Sequence, residues 1–388
     1  MTTAEEPHDG SVEPSTPGAG PGSAAEPGSA AEPGSAAEPG SAAESGSAAQ
    51  PGPDTATDDG AVIKDKQVVY HDWESGHYDD KWSISFDERC IDYAAGRFAK
   101  AVPDATDLPY GRVLEVGCGT GFFLLNLAQA GIVGEAWCTD ISSGMVAEAV
   151  ANGRRLGIDV HGRVADAEAL PFADDSFDLV IGHAIVHHLP DIAAAFAEAR
   201  RVLKPCGRFV IAGEPTAVGD RIATQFKRAG RVGVKLAAVV LGSQRVVHDP
   251  RAVLTPEDRA AADLEWEVDL HCFSPGDLEA LARDAGFTEV ATVTEELTAN
   301  WFGWLTRTVE GMVGAERLPE RYPWVVYRTW QRLFAFDDHV ASRVVPKAAF
   351  YNCILTGLAP DGSEPDAERD PSPPGQRRRG TTAGPAGS

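Results

Sequence analysis

The chain has 388 residues and a formal net charge of −24, from 58 acidic and 34 basic residues. Residues 1–60 and 361–388 contribute −11 and −1 of that charge, which leaves −12 for residues 61–360. An acidic core of this kind excludes broad nucleic-acid binding, which needs a basic face. The length of this core suits one large α/β domain with insertions.

Both ends of the chain have the composition of tails. Residues 1–60 contain no Lys, Arg, Trp, Tyr or Phe, and from Pro21 the hexamer PGSAAE occurs four times in succession. Such a segment has too little apolar surface to offset the entropy cost of ordering it, so we predict disorder. Residues 361–388 are predicted to be a second disordered tail.

Targeting signals and cysteine spacing bear on the compartment. The N-terminus lacks a basic segment followed by an apolar run, and the longest apolar run, residues 236–241, is too short to span a bilayer. The six cysteines form no CxxC pair, which predicts neither a disulfide framework nor a metal site. We therefore expect a cytoplasmic protein without a transmembrane segment, with buried free thiols.

The middle of the chain alternates short β-rich runs with helical patterns. Strands are predicted at 112–117, 135–142, from 161 to near Asp166, within 176–189 and at 208–215, and helices at 122–131, 143–157 and 191–207. Further along, a helix is predicted at 273–287 and strands at 288–297 and 350–358. This alternation predicts a parallel, doubly wound α/β sheet, which binds ligands beyond the carboxyl ends of its strands.

These elements divide the chain into successive regions. They are a disordered repeat tail (1–60), lid helices (61–110), the core (111–215), a basic helical insertion (216–270), a core helix and strand (271–298), an aromatic-rich helical insertion (299–347), the last core strand (348–360) and a second tail (361–388).

A glycine cluster follows the first predicted strand in VLEVGCGTGFF. Its spacing, Gly117, Gly119 and Gly121, is GxGxG, whereas the dinucleotide fingerprint is GxGxxG. The last position of the longer fingerprint is Phe122, whose bulk suits an open turn under an adenosyl-methionine tail better than a pyrophosphate at a helix N-terminus. A nicotinamide dehydrogenase is therefore disfavoured.

Three acidic residues accompany this loop at the ends of strands. Glu115 can accept a hydrogen bond from the α-ammonium group of a bound amino acid, or it can order the loop. Asp140 ends the second predicted strand, where a carboxylate can accept from two ribose hydroxyls. Asp166 ends the third, where it can accept from an exocyclic adenine amine.

With these motifs in order, residues 112–213 resemble the class I S-adenosylmethionine-dependent methyltransferases, in particular the small-molecule and quinone methyltransferase-like branch. The resemblance implies a Rossmann-like sheet of seven strands whose last strand, at 350–358, is antiparallel. It implies S-adenosyl-L-methionine as cofactor. The residues that it implies for binding are Glu115, Gly117, Cys118, Gly119, Thr120, Gly121, Asp140, Ile141, Asp166, Ala167 and His183.

Two further features concern the lid and the chemistry. In many relatives a short helix before the first strand carries a Tyr-Asp pair that closes over the methionine end, and Tyr78–Asp79 resembles that pair. We expect Tyr78 to contact the cofactor, although a helix packed on the sheet edge is the alternative. His187 or His188 could act as a base near neutral pH, or could have a packing or capping role.

The two insertions should decide the substrate. Residues 299–347 hold four of the eight tryptophans, which indicates either an aromatic acceptor pocket or a homodimer interface. Between Asp220 and Arg245 there are six basic residues and one acid. This patch indicates contact with an anionic partner or membrane surface, or simply a solvated helix face.

The sequence thus favours a methyltransferase with a small-molecule or lipid-like acceptor. A protein lysine methyltransferase is the alternative, because an aromatic channel also suits a cation. A non-catalytic cofactor-binding module is the third hypothesis.

Overall fold

The structure is a computed structural model that describes residues 53–82, 84–106, 108–240, 255–313 and 317–362. Most of both predicted tails lies outside the described residues. The first helix, α1, covers Pro53–Glu74 and so includes residues 53–60, which the sequence assigned to the tail.

Seven strands form one sheet. They are β1 (Tyr110–Val116), β2 (Val133–Asp140), β3 (Val160–Val164), β4 (Phe177–His183), β5 (Leu203–Pro215), β6 (Thr288–Glu295) and β7 (Asn352–Leu358). Their order is β3-β2-β1-β4-β5-β7-β6, and β7 runs antiparallel to both of its neighbours. The predicted doubly wound sheet with an antiparallel last strand is confirmed.

Twelve α-helices accompany the sheet. After α1 they are α2 (Tyr78–Trp82), α3 (Glu88–Ala101), α4 (Phe122–Gln129), α5 (Ser143–Leu156), α6 (Ile192–Val202), α7 (Ala217–Val240), α8 (Pro256–Asp263), α9 (Glu265–Val268), α10 (Pro275–Asp284), α11 (Thr298–Val313) and α12 (Tyr322–His339). Local capping sets several starts: Ser142, Asp191 and Ser274 each accept a hydrogen bond from a backbone N–H of the first turn.

The hydrophobic core lies on both faces of the sheet. Adjacent residues of one strand point to opposite faces, so Val113 packs with the α3, α4 and α5 side whereas Leu114 packs with the α6 and α10 side. Both are 0% exposed. A strand that is buried on both faces is apolar throughout, which is why β1 and β4 stand out in the sequence.

The insertions form helices outside this sandwich. The first contains α7, α8 and α9, and the second contains α11 and α12. The rings of Phe226 on α7 and Trp301 on α11 stack with centroids 4.9 Å apart, so the two insertions pack on each other. In the part of the chain that the structure describes, no helix combines the length and the apolar character that crossing a membrane requires.

All six cysteines are free thiols. Four are buried as expected, but Cys206 and Cys272 are exposed. Cys206 lies in the hairpin-like start of β5 with a positive φ of 60°, where the chain turns at the surface.

Candidate active site

The glycine loop lies at the carboxyl end of β1, where the strand order reverses between β1 and β4. Gly117 has φ of 64°, and a Cβ there would overlap the Ile185 side chain. Gly119 lies under the Tyr78 ring, which is 3.7 Å from the position of an added Cβ. Gly117, Cys118, Gly119 and Thr120 line a cavity together with Ile185 and Tyr78.

Asp140 ends β2 beside this loop, as predicted. Its Oδ2 accepts a hydrogen bond from the Gly119 N–H at 3.0 Å and its Oδ1 accepts from the Ser142 N–H at 2.9 Å. Burial raises the pKa of this carboxyl to about 6, although the backbone donors oppose that shift. The carboxylate faces the cavity and has further lone pairs that can accept hydrogen bonds from two vicinal hydroxyl groups.

Binding of S-adenosylmethionine is therefore expected to weaken below about pH 6. A protonated Asp140 accepts fewer hydrogen bonds from the ribose, so binding favours the ionised form. Below the pKa of Asp140 the apparent Kd should rise by up to about tenfold per pH unit. Calorimetric titration between pH 5 and pH 8 measures this, and the Asp140→Asn variant should bind weakly at every pH. A flat profile for the wild type would contradict the assignment.

Glu115 has a structural role that the sequence left open. It is 1% exposed, and its Oε2 accepts a hydrogen bond from the Leu124 N–H at 3.1 Å, in the first turn of α4. Burial holds the pKa of this carboxyl well above its ordinary value. Glu115 also borders the cavity, so ordering the loop and accepting from a cofactor ammonium group are compatible.

The end of the cavity beside β3 contains a feature that the sequence did not indicate. Asp166 and Ala167 line the cavity together with Ile141. However, Lys64 of α1 forms an ion pair with Asp166, at 2.7 Å, and another with Glu168. An adenine amine that is to reach Asp166 must share this carboxylate with Lys64 or displace it.

The lid is longer than the predicted Tyr78–Asp79 pair. One face of α1 lies across the cavity through residues with helical spacing, Lys64, Gln67, His71 and Glu74. Asp72 accepts hydrogen bonds from Ser142 Oγ, at 2.5 Å, and from the Gly144 N–H, at 2.9 Å. These residues fall within the lid helices predicted at 61–110, but the sequence singled out none of these side chains; their helical spacing was the available signal.

The Tyr78–Asp79 pair contacts the glycine loop as a lid residue pair should. Asp79 accepts a hydrogen bond from Thr120 Oγ1 at 2.5 Å. Tyr78 lines the cavity, and burial raises the pKa of its hydroxyl far above the ordinary value, so the phenol stays neutral. α2 is thereby fixed to the loop that it covers.

His183 lies at the end of β4 and lines the cavity beside Phe122. The Arg97 Nη1 donates to His183 Nε2 at 3.0 Å, and burial, reinforced by this guanidinium, holds the pKa of the imidazole well below its ordinary value. His183 is therefore a neutral group with Nδ1 protonated. The buried Arg97 was not predicted.

His187 and His188 have different surroundings. His187 is 1% exposed, does not line the described cavity, and its Nδ1 donates to Glu214 Oε2 at 2.9 Å. Burial lowers the pKa of His187, but the Glu214 carboxylate outweighs it and the net shift is upward. Glu214 also accepts from the N–H groups of Ile185, Val186 and His187, so it organises the whole turn.

His188 reaches the cavity. Its Nδ1 donates to the Val268 carbonyl at 2.9 Å and lies 3.3 Å from Asp269 Oδ1. These contacts leave Nε2 as the hydrogen-bond acceptor of the ring. Burial and the charge of His187 lower the pKa of His188 to about 4, so the imidazole is neutral at physiological pH. Asp269 also lines the cavity and was not singled out in the sequence.

None of the described aromatic side chains of 299–347 lines this cavity. Trp304 is buried under the Lys227 ammonium group, which lies 3.3 Å from its ring centroid. Trp330 packs near Tyr93 and Phe334, and Trp324 is 60% exposed. The aromatic acceptor pocket therefore does not coincide with the cavity at the glycine loop.

The residues present fit S-adenosylmethionine. The strand order β3-β2-β1-β4 places Asp166 and Asp140 on one side of the glycine loop and the neutral His183 on the other, and all of them line the cavity. This order follows the order of adenosine and methionine in the cofactor. A seven-stranded sheet with this topology and a glycine loop at the reversal of strand order defines the class I methyltransferase fold.

Comparison with known proteins agrees with this class. Residues 114–211 match the family model described as "Methyltransferase domain". This region of the chain is therefore a class I S-adenosylmethionine-dependent methyltransferase domain.

Three curated relatives extend the similarity. Malonyl-[acyl-carrier protein] O-methyltransferase of Geobacter sulfurreducens is 34% identical over 44% of this chain and 65% of its own length. 27-O-demethylrifamycin SV methyltransferase of Amycolatopsis mediterranei is 32% identical over 47% of this chain and 66% of its own length. Ubiquinone/menaquinone biosynthesis C-methyltransferase UbiE of Burkholderia mallei is 37% identical over 29% of this chain and 47% of its own length. The matches cover less than two thirds of each relative.

Proposed function

We propose that this protein transfers a methyl group from S-adenosylmethionine to a hydroxyl group of a small-molecule or lipid-like acceptor. The observation that carries the proposal is the cavity in which the cofactor-binding loop and Asp140 share one space with His188 and Asp269. The relatives support a small or carrier-bound acceptor, since their names refer to malonyl-[acyl-carrier protein], to 27-O-demethylrifamycin SV and to ubiquinone/menaquinone biosynthesis.

The chain's own residues would align and deprotonate the acceptor. The cofactor supplies a methyl group that is activated by its sulfonium sulfur. His188 Nε2 accepts the hydroxyl proton as the oxygen attacks, and Asp269, 3.3 Å from Nδ1, stabilises the resulting imidazolium. Helix α1 and Tyr78 exclude water above the site, so the nucleophile is poorly solvated.

The assay that tests this function uses cofactor with a labelled methyl group, purified protein and a cell lysate. Organic-soluble label supports a small or lipid-like acceptor. Acid-precipitable label would instead make the chain a protein methyltransferase. The Asp140→Ala variant is the matched control, and label that persists with it comes from another enzyme of the lysate.

Replacing His188 with glutamine is expected to lower kcat by roughly 10²-fold, the low end of the usual contribution of a general base, because a pKa of about 4 makes this imidazole a weak base. The Kd for S-adenosylmethionine should change little, because His188 is assigned to the acceptor end. Calorimetry and initial rates measure the two effects separately. An unchanged kcat would contradict the base role.

Chelator treatment is the control for the His188 assignment. His187, His188 and Asp269 each offer a ligand atom, and these atoms lie within 4.8 Å of one another, which could also suit a cation. The base role requires that activity survives a chelator. The sequence also offered His187 as the base, but His187 does not line the cavity. We propose instead that it positions His188, with its own ring held by Glu214.

Two broader expectations also stay predictions. A cytoplasmic location is supported by six free thiols. A homodimer through 299–347 is supported by exposed apolar side chains on α12, among them Trp324 and Val325.

A further inference from the structure

Helix α7 exposes an apolar stripe that no described element covers. Ala223, Lys227 and Gly230 are buried, so this face of the helix packs against α11. On another face, Val232, Leu236 and Val239 are 56%, 60% and 60% exposed. Their spacing of four and three residues makes one continuous stripe along the last two turns.

We call this stripe the end surface and define it by the three side chains Val232, Leu236 and Val239 of α7. Exposed aliphatic side chains in a row on one helix face are characteristic of a contact surface rather than of scattered surface residues.

A line of positive charge borders the stripe on α7. Arg221, Arg228 and Lys235 are exposed and recur every seven residues, so they lie along one edge of the helix. Val232 is four residues after Arg228 and three before Lys235, so it lies next to both. Across α7 there are five basic residues and one acidic residue, in a chain whose net charge is −24.

We propose that the end surface docks on an anionic lipid bilayer, with α7 lying in the interfacial plane. Basic amphipathic helices bind in this way, with the apolar stripe at the acyl boundary and the basic edge at the headgroups. Anionic lipids repel a protein with this net charge, so contact requires a local patch of positive charge, and α7 supplies it.

This inference goes beyond the proposed methyl transfer and does not depend on which acceptor is used. None of the three end-surface residues lines the cavity at the glycine loop. Docking would nevertheless place the enzyme at a bilayer while that cavity remains within the protein. Loss of docking and loss of methyl transfer are therefore separately measurable.

Vesicle sedimentation of the full chain tests the proposal. The probes are vesicles of phosphatidylcholine alone and of phosphatidylcholine with phosphatidylglycerol. We expect binding to the anionic vesicles only, weakened by at least about tenfold between 0.1 M and 0.5 M salt because the charges are exposed. Failure of the wild type to sediment with anionic vesicles would overturn the proposal, as would equal binding to both vesicles.

Variants separate the apolar and the basic contributions. Val232→Asp with Leu236→Asp, and Arg228→Glu with Lys235→Glu, should each lower anionic-vesicle binding by about tenfold or more. Val69→Asp is the matched control, because Val69 is 55% exposed on α1, away from the end surface, and it should bind like the wild type. Circular dichroism and S-adenosylmethionine affinity should be unchanged in both double variants.

The competing occupant is a second copy of the chain, and light scattering on a sizing column tests it. A monomer at micromolar concentration that binds vesicles supports docking on lipid. A dimer that Leu236→Asp converts to a monomer would overturn it, because the end surface would then be a protein interface.

Discussion

Replacing Asp140 with alanine is expected to abolish measurable binding of S-adenosylmethionine. Hydrogen bonds to a charged acceptor contribute about 1.5–3 kcal/mol each, so losing two of them from ribose hydroxyls weakens binding by roughly 10²–10⁴-fold. The same change removes the acceptor for the Gly119 and Ser142 N–H groups, which lie 3.0 Å and 2.9 Å from the carboxylate. The glycine loop therefore loses its anchor together with the ribose contact.

Isothermal calorimetry with S-adenosylmethionine and with its product S-adenosylhomocysteine measures this loss. Asp178→Ala is a matched control, because Asp178 is also an acceptor for a backbone N–H, that of Arg112, but at the opposite end of the sheet. It should bind the cofactor like the wild type. If the Asp140→Ala protein binds S-adenosylmethionine with an affinity within about threefold of the wild type, the assignment of the ribose site is wrong.

The sheet could be predicted because its signals are local. Each inner parallel strand is an apolar run that ends in polar residues, and each following helix begins at a capping side chain such as Ser142 or Asp191. Asp140 was found in this way, because the end of β2 and the glycine loop after β1 must meet at one edge of the sheet. The predicted strand at 112–117 and the observed Tyr110–Val116 differ only at the boundaries.

The parts of the site that the sequence did not predict come from contacts between segments that are far apart in the chain. Lys64 and Asp166 are 102 residues apart, and Asp269 reaches His188 from the far end of an insertion. Periodicity does not encode such pairings. Glu214 left a detectable signal, since an acidic residue in an otherwise apolar strand requires buried partners. It is 0% exposed, and its partners are the turn and the imidazole of His187.

Replacing Arg97 with methionine is expected to destabilise the fold by about 3–5 kcal/mol, because it leaves buried carboxylates without their counter-charge. The Arg97 side chain is 1% exposed and pairs with Glu295 and with Glu296, whose carboxylates are 0% exposed. Tyr93 also donates to Glu296 at 3.0 Å, but a phenol cannot neutralise it. Denaturant unfolding and the melting temperature measure the loss.

The pH dependence of the stability of the Arg97→Met variant distinguishes the loss of the counter-charge from the loss of packing. Burial raises the pKa of Glu296 to about 7, whereas Arg97 and Lys100 hold the pKa of Glu295 below its ordinary value despite burial. Without Arg97 both carboxyls should bind protons more readily in the folded state than in the unfolded state. The stability of the variant should therefore rise as pH falls from 8 to 5, and its deficit relative to the wild type should shrink.

The same substitution connects the buried network to the cofactor site. Arg97 Nη1 donates to His183 Nε2 at 3.0 Å, so in the methionine variant this imidazole loses the contact that fixes its tautomer and orientation. At pH 5, where the fold is partly rescued, we expect the variant to bind S-adenosylmethionine more weakly than the wild type does at the same pH. Combining Arg97→Met with Glu295→Gln should restore stability without restoring affinity. Affinity that recovers in parallel with stability would mean that Arg97 supports the fold alone.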